Sequence, residues 1–136
     1  MSEAAFQAAV AKGMFAGLGM PPRVLALPWP DKLLSPNARV HWSRKAKATK
    51  LAREYAWAVT LNATGPNTAW RGARLAFTFN PPDKRRRDTD NCIASTKAVR
   101  DGIADALGID DSKFECSYRM GEPVKGGAVR VEIRPI

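Results

Sequence analysis

Residues 73–80, Ala-Arg-Leu-Ala-Phe-Thr-Phe-Asn, carry the clearest structural pattern of the chain. Large apolar side chains at Leu75, Phe77 and Phe79 alternate with small or polar ones, which predicts a strand with one packed face. The prolines at positions 81 and 82 end the strand, because proline cannot donate to a sheet ladder.

The segments around this strand predict three further strands and two helices. In chain order they are strand 23–29, helix 44–61, helix 91–107, strand 115–121 and strand 128–134. The last two strands are joined across Lys125, Gly126 and Gly127, which predicts a terminal hairpin. The order β-α-β-α-β-β predicts an α/β (α+β) fold, with helices packed on a small mixed sheet.

Both predicted helices are amphipathic. In helix 44–61 the cations Lys47, Lys50 and Arg53 lie opposite an apolar stripe of Ala48, Leu51, Ala52, Tyr55 and Val59. This cationic face either meets solvent or tracks phosphates. Helix 91–107 has an apolar face of Cys92, Val99, Ile103 and Leu107, and a polar face of Ala94, Lys97, Asp101 and Asp105. Asp101 lies four residues after Lys97, at the spacing of a helical ion pair, and Gly108 is a predicted C-terminal cap.

The length of 136 residues indicates one domain over residues 23–136, preceded by an extension over residues 1–22. Phe6, Val10 and Met14 predict a short helix within the extension. No run of 18 apolar residues is present, which argues against a membrane partner, and the first residues lack the cations of a secretory signal. Two cysteines and one histidine cannot form a structural zinc site, so we expect two reduced thiols in a cytoplasmic protein.

The charge balance indicates an anionic partner. Lysine and arginine number 22 against 13 acidic residues, for a net charge of +9, which favours nucleic acid. Seven of the thirteen acidic residues nevertheless lie between positions 83 and 111. A protein that only grips phosphates needs no such acidic cluster, whereas a metal-dependent nuclease does.

Asp88 and Asp90 are the first candidate metal ligands. In an extended segment, residues two apart point the same way, so both carboxylates can face one ion. Oxygen ligands suit Mg²⁺ or Mn²⁺. A calcium-binding EF-hand is excluded, since its glycine and glutamate positions hold Ile93 and Val99. By itself, the Asp88–Asp90 pair could belong to a solvated turn. Three further features favour a metal site: the four cations at 84–87, the later Asp110-Asp111 pair, and Lys97.

These residues also carry a resemblance to a known family. The segments LPWP and SPNARVHW between positions 27 and 42, FNPPDKRRRDTDN at 79–91, Lys97, and DGIADALGIDD at 101–111 are similar to the RusA-type crossover-junction endodeoxyribonucleases. These are small phage and prophage Holliday-junction resolvases. The resemblance covers roughly residues 23–134 and includes the predicted terminal hairpin.

The resemblance implies a Mg²⁺-dependent endonuclease of DNA recombination and repair, with Mn²⁺ able to substitute. It implies Asp88, Asp90 and one of Asp110 and Asp111 as catalytic, metal-binding carboxylates, Asp111 being favoured, and Lys97 as the essential lysine. In the best-known member the lysine follows at a shorter spacing, which would fall on Ala94. On a continuous helix positions 94 and 97 share a face, so the longer spacing keeps the lysine on the same side.

The predicted partners are a branched DNA and a second copy of the chain. Candidate DNA-binding residues are Arg85, Arg86, Arg87, Asn91, Asn37, Arg39, His41, Lys47, Lys50 and Arg53. Three surfaces could form the dimer interface: the packed face of the terminal hairpin, the apolar N-terminal stripe, or the loop near Trp42. The Trp42 indole is either packed or available for base stacking. The alternative functions are a non-catalytic nucleic-acid-binding protein of architectural or regulatory type, and a nuclease for flaps, RNA or other branched DNA. The expected location is the cytoplasm of a bacterial or phage-infected cell.

Overall fold

The computed structural model describes residues 2–4 and 22–136. Its strands and helices, in chain order, are β1 (Arg23–Pro28), α1 (Trp42–Thr64), β2 (Ala73–Asn80), α2 (Thr89–Ala94), α3 (Lys97–Leu107), β3 (Phe114–Met120) and β4 (Ala128–Pro135). Short 3-10 helices lie at Lys32–Leu34 and Asp111–Lys113. The helix predicted around Phe6, Val10 and Met14 lies outside the described residues.

The four strands form one mixed sheet in the order β1-β4-β2-β3. β4 is antiparallel to both of its neighbours, and β3 pairs parallel with β2. The predicted fold class, a small mixed sheet with packed helices, is therefore confirmed. The predicted strand at 73–80 has the observed bounds.

The predicted terminal hairpin is wrong, because β2 lies between β3 and β4. The connection after β3 crosses the end of β2, where the Gly121 amide donates to the Phe79 carbonyl at 2.8 Å and the Val124 amide to the Pro81 carbonyl at 2.9 Å. These bonds direct the chain past β2, so that β4 enters beside β1. The connection ends at Gly127, whose φ of 72° and close approach to Trp29 require glycine.

The core lies between one face of the sheet and the helices. The inward strand residues are Leu25, Leu27, Ala73, Leu75, Phe77, Phe79, Val129, Val131 and Ile133, and α2 and α3 add Cys92, Ile103 and Leu107. Because Val129, Val131 and Ile133 are buried here, the packed face of the last strand is not available as a dimer patch. Both cysteines are free thiols, as expected.

The long predicted helix over 91–107 is two helices, α2 and α3, separated at Ser95 and Thr96. The Ser95 hydroxyl donates to the Asn91 carbonyl at 2.8 Å, and the Thr96 hydroxyl donates to the Ile93 carbonyl at 2.6 Å. Such side-chain bonds compete with the helical ladder and bend it. The argument that positions 94 and 97 share a face of one continuous helix is therefore wrong, although the predicted buried and polar faces are confirmed.

The apolar stripe predicted for α1 is confirmed only in part: Val59 packs against the core, but the two largest stripe residues do not. Leu51 is 57% exposed and Tyr55 is 50% exposed, whereas Ala56 and Thr60 are buried. α1 turns its Ala56 side to α3, where Gly102 lets the two backbones approach closely. Leu51 and Tyr55 instead line one wall of an apolar groove of about 370 Å³ beside β1.

Candidate active site

Lys97, the first residue of α3, contacts two carboxylates. Its Nζ lies 2.5 Å from Oδ1 of Asp101, one turn further along the helix, and 3.1 Å from Oδ2 of Asp111 in the second 3-10 helix. The bond to Asp101, followed by the bond to Asp111, raises the pKa of Lys97 above its ordinary value. The predicted helical pair with Asp101 is thus confirmed, and Lys97 also connects α3 to the segment that returns beside it.

A shallow polar pocket surrounds this contact. Its charged lining residues are Arg53, Lys97, Asp101, Asp105, Asp110 and Asp111. Asp110 caps the 3-10 helix by accepting from the Ser112 amide at 2.9 Å. The amide and then the hydroxyl of Ser112 hold the pKa of Asp110 below its usual range. The pocket therefore places the Lys97 ammonium beside several carboxylates.

Arg53 reaches this pocket from α1. Its guanidinium binds the Asp105 carboxylate through two bonds, Nε to Oδ2 at 2.6 Å and Nη2 to Oδ1 at 2.9 Å. The pair raises the pKa of Arg53 and lowers the pKa of Asp105. Arg53 is exposed, as the predicted cationic face requires, but its guanidinium is turned to Asp105 on α3. Sequence reasoning missed this partnership, since the two residues lie 52 positions apart and no local pattern joins them.

Asp88 and Asp90 begin α2. Asp88 is its N-cap, with Oδ1 accepting the Asp90 amide at 2.9 Å, and Asp90 lies in the first helical turn. The extended arrangement predicted for the pair is therefore wrong, although both side chains are exposed. Asp88 lines a separate pocket that also contains Asn91, Cys92 and Trp29.

The four predicted metal ligands form two pairs in the structure. Asp88 and Asp90 share the α2 cap, whereas Asp110 and Asp111 are consecutive beside Lys97. In the described ranges, 2–4 and 22–136, no group of three or more His, Cys, Asp or Glu side chains stands in a metal-holding arrangement. The donors are carboxylate oxygens only, which is the chemistry that Mg²⁺ prefers.

The basic loop before α2 is organised by Asp83 and Arg87. Arg87 is only 16% exposed in its side chain and stacks on Trp29 at 5.5 Å from the ring centroid. It also binds Asp83 at 2.9 Å, and Arg85 binds the same carboxylate at 3.2 Å. Bonds from the Arg85 amide and side chain, with a smaller one from Arg87, lower the pKa of Asp83 to about 2. Sequence reasoning missed the Trp29 contact, which sets Arg87 in place directly before Asp88.

The other predicted DNA-binding residues are exposed, except for the half-buried Asn91. In the loop 83–87, Arg85 and Arg86 are exposed, and Asn91 is half-buried in α2. Asn37, Arg39 and His41 are exposed before and at the start of α1, where His41 Nδ1 accepts the Ser43 amide at 3.2 Å. Lys47 and Lys50 are exposed on α1, and Lys50 lies 4.0 Å from Glu54.

The comparisons with known proteins place the chain beside one relative. No family model matches the chain. An uncharacterized protein of Xylella fastidiosa is 49% identical over 98 residues, which cover 66% of this chain. The match spans 61% of that relative's length. Within the described residues, no helix combines the length and the apolar character that crossing a bilayer requires.

Proposed function

We propose that this chain is a Mg²⁺-dependent endodeoxyribonuclease of the RusA type that cleaves four-way DNA junctions in the cytoplasm. The observation that carries the proposal is the 3.1 Å contact between Lys97 and Asp111. The two residues are 14 positions apart, and the motif assigns both to catalysis. Their contact, inside a pocket that also holds Asp101 and Asp110, supports a shared chemical role.

Each residue has a defined part in this proposal. The resemblance would have Asp88, Asp90 and Asp111, with Asp110 as the alternative, hold the metal through carboxylate oxygens, although Asp88 and the Asp110–Asp111 pair line separate pockets in the described part of the structure. A bound Mg²⁺ supplies Lewis-acid polarisation of the phosphate and lowers the pKa of a bound water; Mn²⁺ can substitute. The Lys97 ammonium offsets negative charge that develops on the phosphate during attack. Asp101 holds that ammonium in position.

The basic surface supports DNA as the substrate. Lys47 and Arg44 are exposed on α1, and Arg86 is exposed in the loop that leads to Asp88. With a net charge of +9, these positions favour sequence-independent contacts to phosphates. The acidic cluster between positions 83 and 111 favours cleavage over binding alone.

The decisive experiment compares a synthetic four-way junction with a linear duplex of the same arm sequence, with Mg²⁺ and with EDTA. We expect Mg²⁺-dependent cleavage of the junction. Asp90→Asn should abolish cleavage and leave junction binding unchanged or tighter, because the change removes a negative charge from a phosphate-facing site. Glu122→Gln, at an exposed acidic position outside both pockets, is the matched control and should cleave normally.

Two results would contradict the proposal. If Asp90→Asn cleaves the junction as fast as the wild-type protein, Asp90 is not part of the active site. Tight junction binding without cleavage in either Mg²⁺ or Mn²⁺ would favour the non-catalytic nucleic-acid-binding protein. Loss of binding and cleavage together in Asp90→Asn would indicate a folding defect, which circular dichroism of the same sample would reveal.

A further inference from the structure

Trp42 is the most exposed large apolar residue of the part of the chain that the structure describes. It is the first residue of α1, and 75% of its surface is accessible, against 57% for Leu51. Its ring lies beside the His41 imidazole, with centroids 5.7 Å apart and planes inclined by 32°. An indole exposed to water is unfavourable, and covering it with a binding partner would contribute favourable hydrophobic free energy to the complex.

The surroundings of Trp42 are cationic. The indole lines a shallow surface groove with Lys45, Ala46, Thr49, Lys50 and Arg53. Three cations line the groove, of which Lys50 also lies 4.0 Å from Glu54 and Arg53 binds Asp105. The small side chains at positions 46 and 49 leave space next to the indole. An aromatic ring among lysines and arginines is the arrangement by which proteins bind single-stranded nucleic acid, since the cations contact the backbone and a base stacks on the ring.

The groove and the pocket around Lys97 share one lining residue. Arg53 lines both, since it belongs to the groove on α1 and binds Asp105 of the pocket. Trp42 and Arg53 are eleven residues apart on one helix, which corresponds to about 16 Å along its axis.

We propose that Trp42 is a base-stacking site for an unpaired nucleotide of DNA, in a groove that shares Arg53 with the pocket around Lys97. A base inside a duplex has both faces covered by its neighbours, so the indole selects bases that are unpaired or unstacked, as at a branch point. The link between this groove and a cleaved strand rests on the proposed nuclease function. The stacking itself does not.

The test measures binding without cleavage. Fluorescence anisotropy in EDTA, at low salt, compares a labelled single strand of twenty thymidines with a labelled duplex of twenty base pairs. Trp42→Ala should weaken single-strand binding by about 5- to 150-fold, the equivalent of about 1–3 kcal/mol for one stacked base. Duplex binding should change less than twofold. Trp42→Phe, which keeps an aromatic ring, should retain most of the single-strand affinity.

Tyr55→Ala is the matched control. Tyr55 is another exposed aromatic residue of α1, but it lines the apolar groove beside β1, so its removal should leave both affinities unchanged. If Trp42→Ala and the wild-type protein bind the single strand with equal affinity, the inference is overturned. An equal loss of affinity for single strand and duplex would also overturn it, as would conversion of a dimer to a monomer by Trp42→Ala, which would assign the indole to a contact between copies.

The outcome is independent of the nuclease proposal. Trp42-dependent binding of the single strand by a chain that never cleaves would uphold the stacking site and refute the nuclease. Junction cleavage with single-strand binding that does not depend on Trp42 would do the reverse.

Discussion

Lys97 has the most constrained side chain among the residues that we propose for catalysis. It is held between Asp101 and Asp111, at 2.5 Å and 3.1 Å. A lysine fixed by two carboxylates keeps its charge and its direction, and both are needed to stabilise charge in a transition state. Arg87 is constrained as well, because Trp29 and Asp83 hold its guanidinium. Its position favours a role in orienting the loop before Asp88 over a direct phosphate contact.

At the scale of this residue, Lys97→Ala should lower the turnover number by about 10²- to 10³-fold with little change in junction affinity. Single-turnover cleavage and a separate binding titration measure the two quantities. Lys113→Ala is the control, because Lys113 is an exposed cation beside the same 3-10 helix. A weakened affinity with unchanged turnover of bound DNA would make Lys97 an ordinary phosphate contact.

At the scale of the elements, the crossing of α1 and α3 positions Arg53 against the pocket. The crossing depends on Gly102, where a Cβ atom would overlap the Arg53 carbonyl oxygen and lie 2.9 Å from the Ala56 Cβ. The backbones of the two helices therefore meet without an intervening side chain. This approach brings the Arg53 guanidinium within bonding distance of Asp105.

Gly102→Ala should therefore reduce the free energy of unfolding, although alanine is the better helix former. The propensity gain is about 1 kcal/mol, whereas overpacking a tight contact costs typically 1–3 kcal/mol. Urea denaturation measures the net change. Ala104→Gly in the same helix reports the propensity effect in isolation. A stabilised Gly102→Ala variant would show that the two helices separate at no cost.

The exposed cations of α1 should together contribute to DNA affinity through contacts with phosphates. Lys47 and Lys50 are exposed, and changing both to alanine should reduce the slope of log affinity against log salt by roughly 2 units on duplex DNA. Arg53 should contribute less to this slope, because Asp105 already binds its guanidinium. Lys125→Ala, in the turn before β4, should leave the slope unchanged. An unaltered slope in the double variant would assign this face to solvent alone.

At the scale of the whole molecule, junction resolution requires two nicks in strands related by a two-fold axis. The described part of the chain carries one pocket around Lys97, so we expect a two-fold homodimer that places two such pockets symmetrically. Mixing the unchanged chain with Asp90→Asn should give heterodimers that nick one strand of a supercoiled cruciform without linearising it. Sedimentation as a monomer at micromolar concentration, free and with junction bound, would refute the dimer.

The secondary structure was predictable because its signals are local. The alternation over residues 73–80 and the glycine at position 108, whose φ is 66°, depend only on neighbouring residues. The pairing of Lys97 with Asp101 follows in the same way from helical spacing. The break at Ser95 and Thr96 also has a local cause, but it was not predicted. The helix was predicted from the spacing of its apolar residues, and hydroxyl bonds to helix carbonyls do not change that spacing.

What only the tertiary structure decided is which distant elements meet. The alternation of apolar and polar residues over 128–134 predicts a strand, but it does not predict which strands lie beside it. In the structure β4 lies between β1 and β2, with Val131 opposite both Leu25 and Phe77. This position pairs both edges of β4 with neighbouring strands, whereas a hairpin at the sheet margin would leave one edge of the last strand open. The Arg53–Asp105 pair has the same origin. Contacts across fifty residues follow from how the helices pack on the sheet, and no local spacing encodes them.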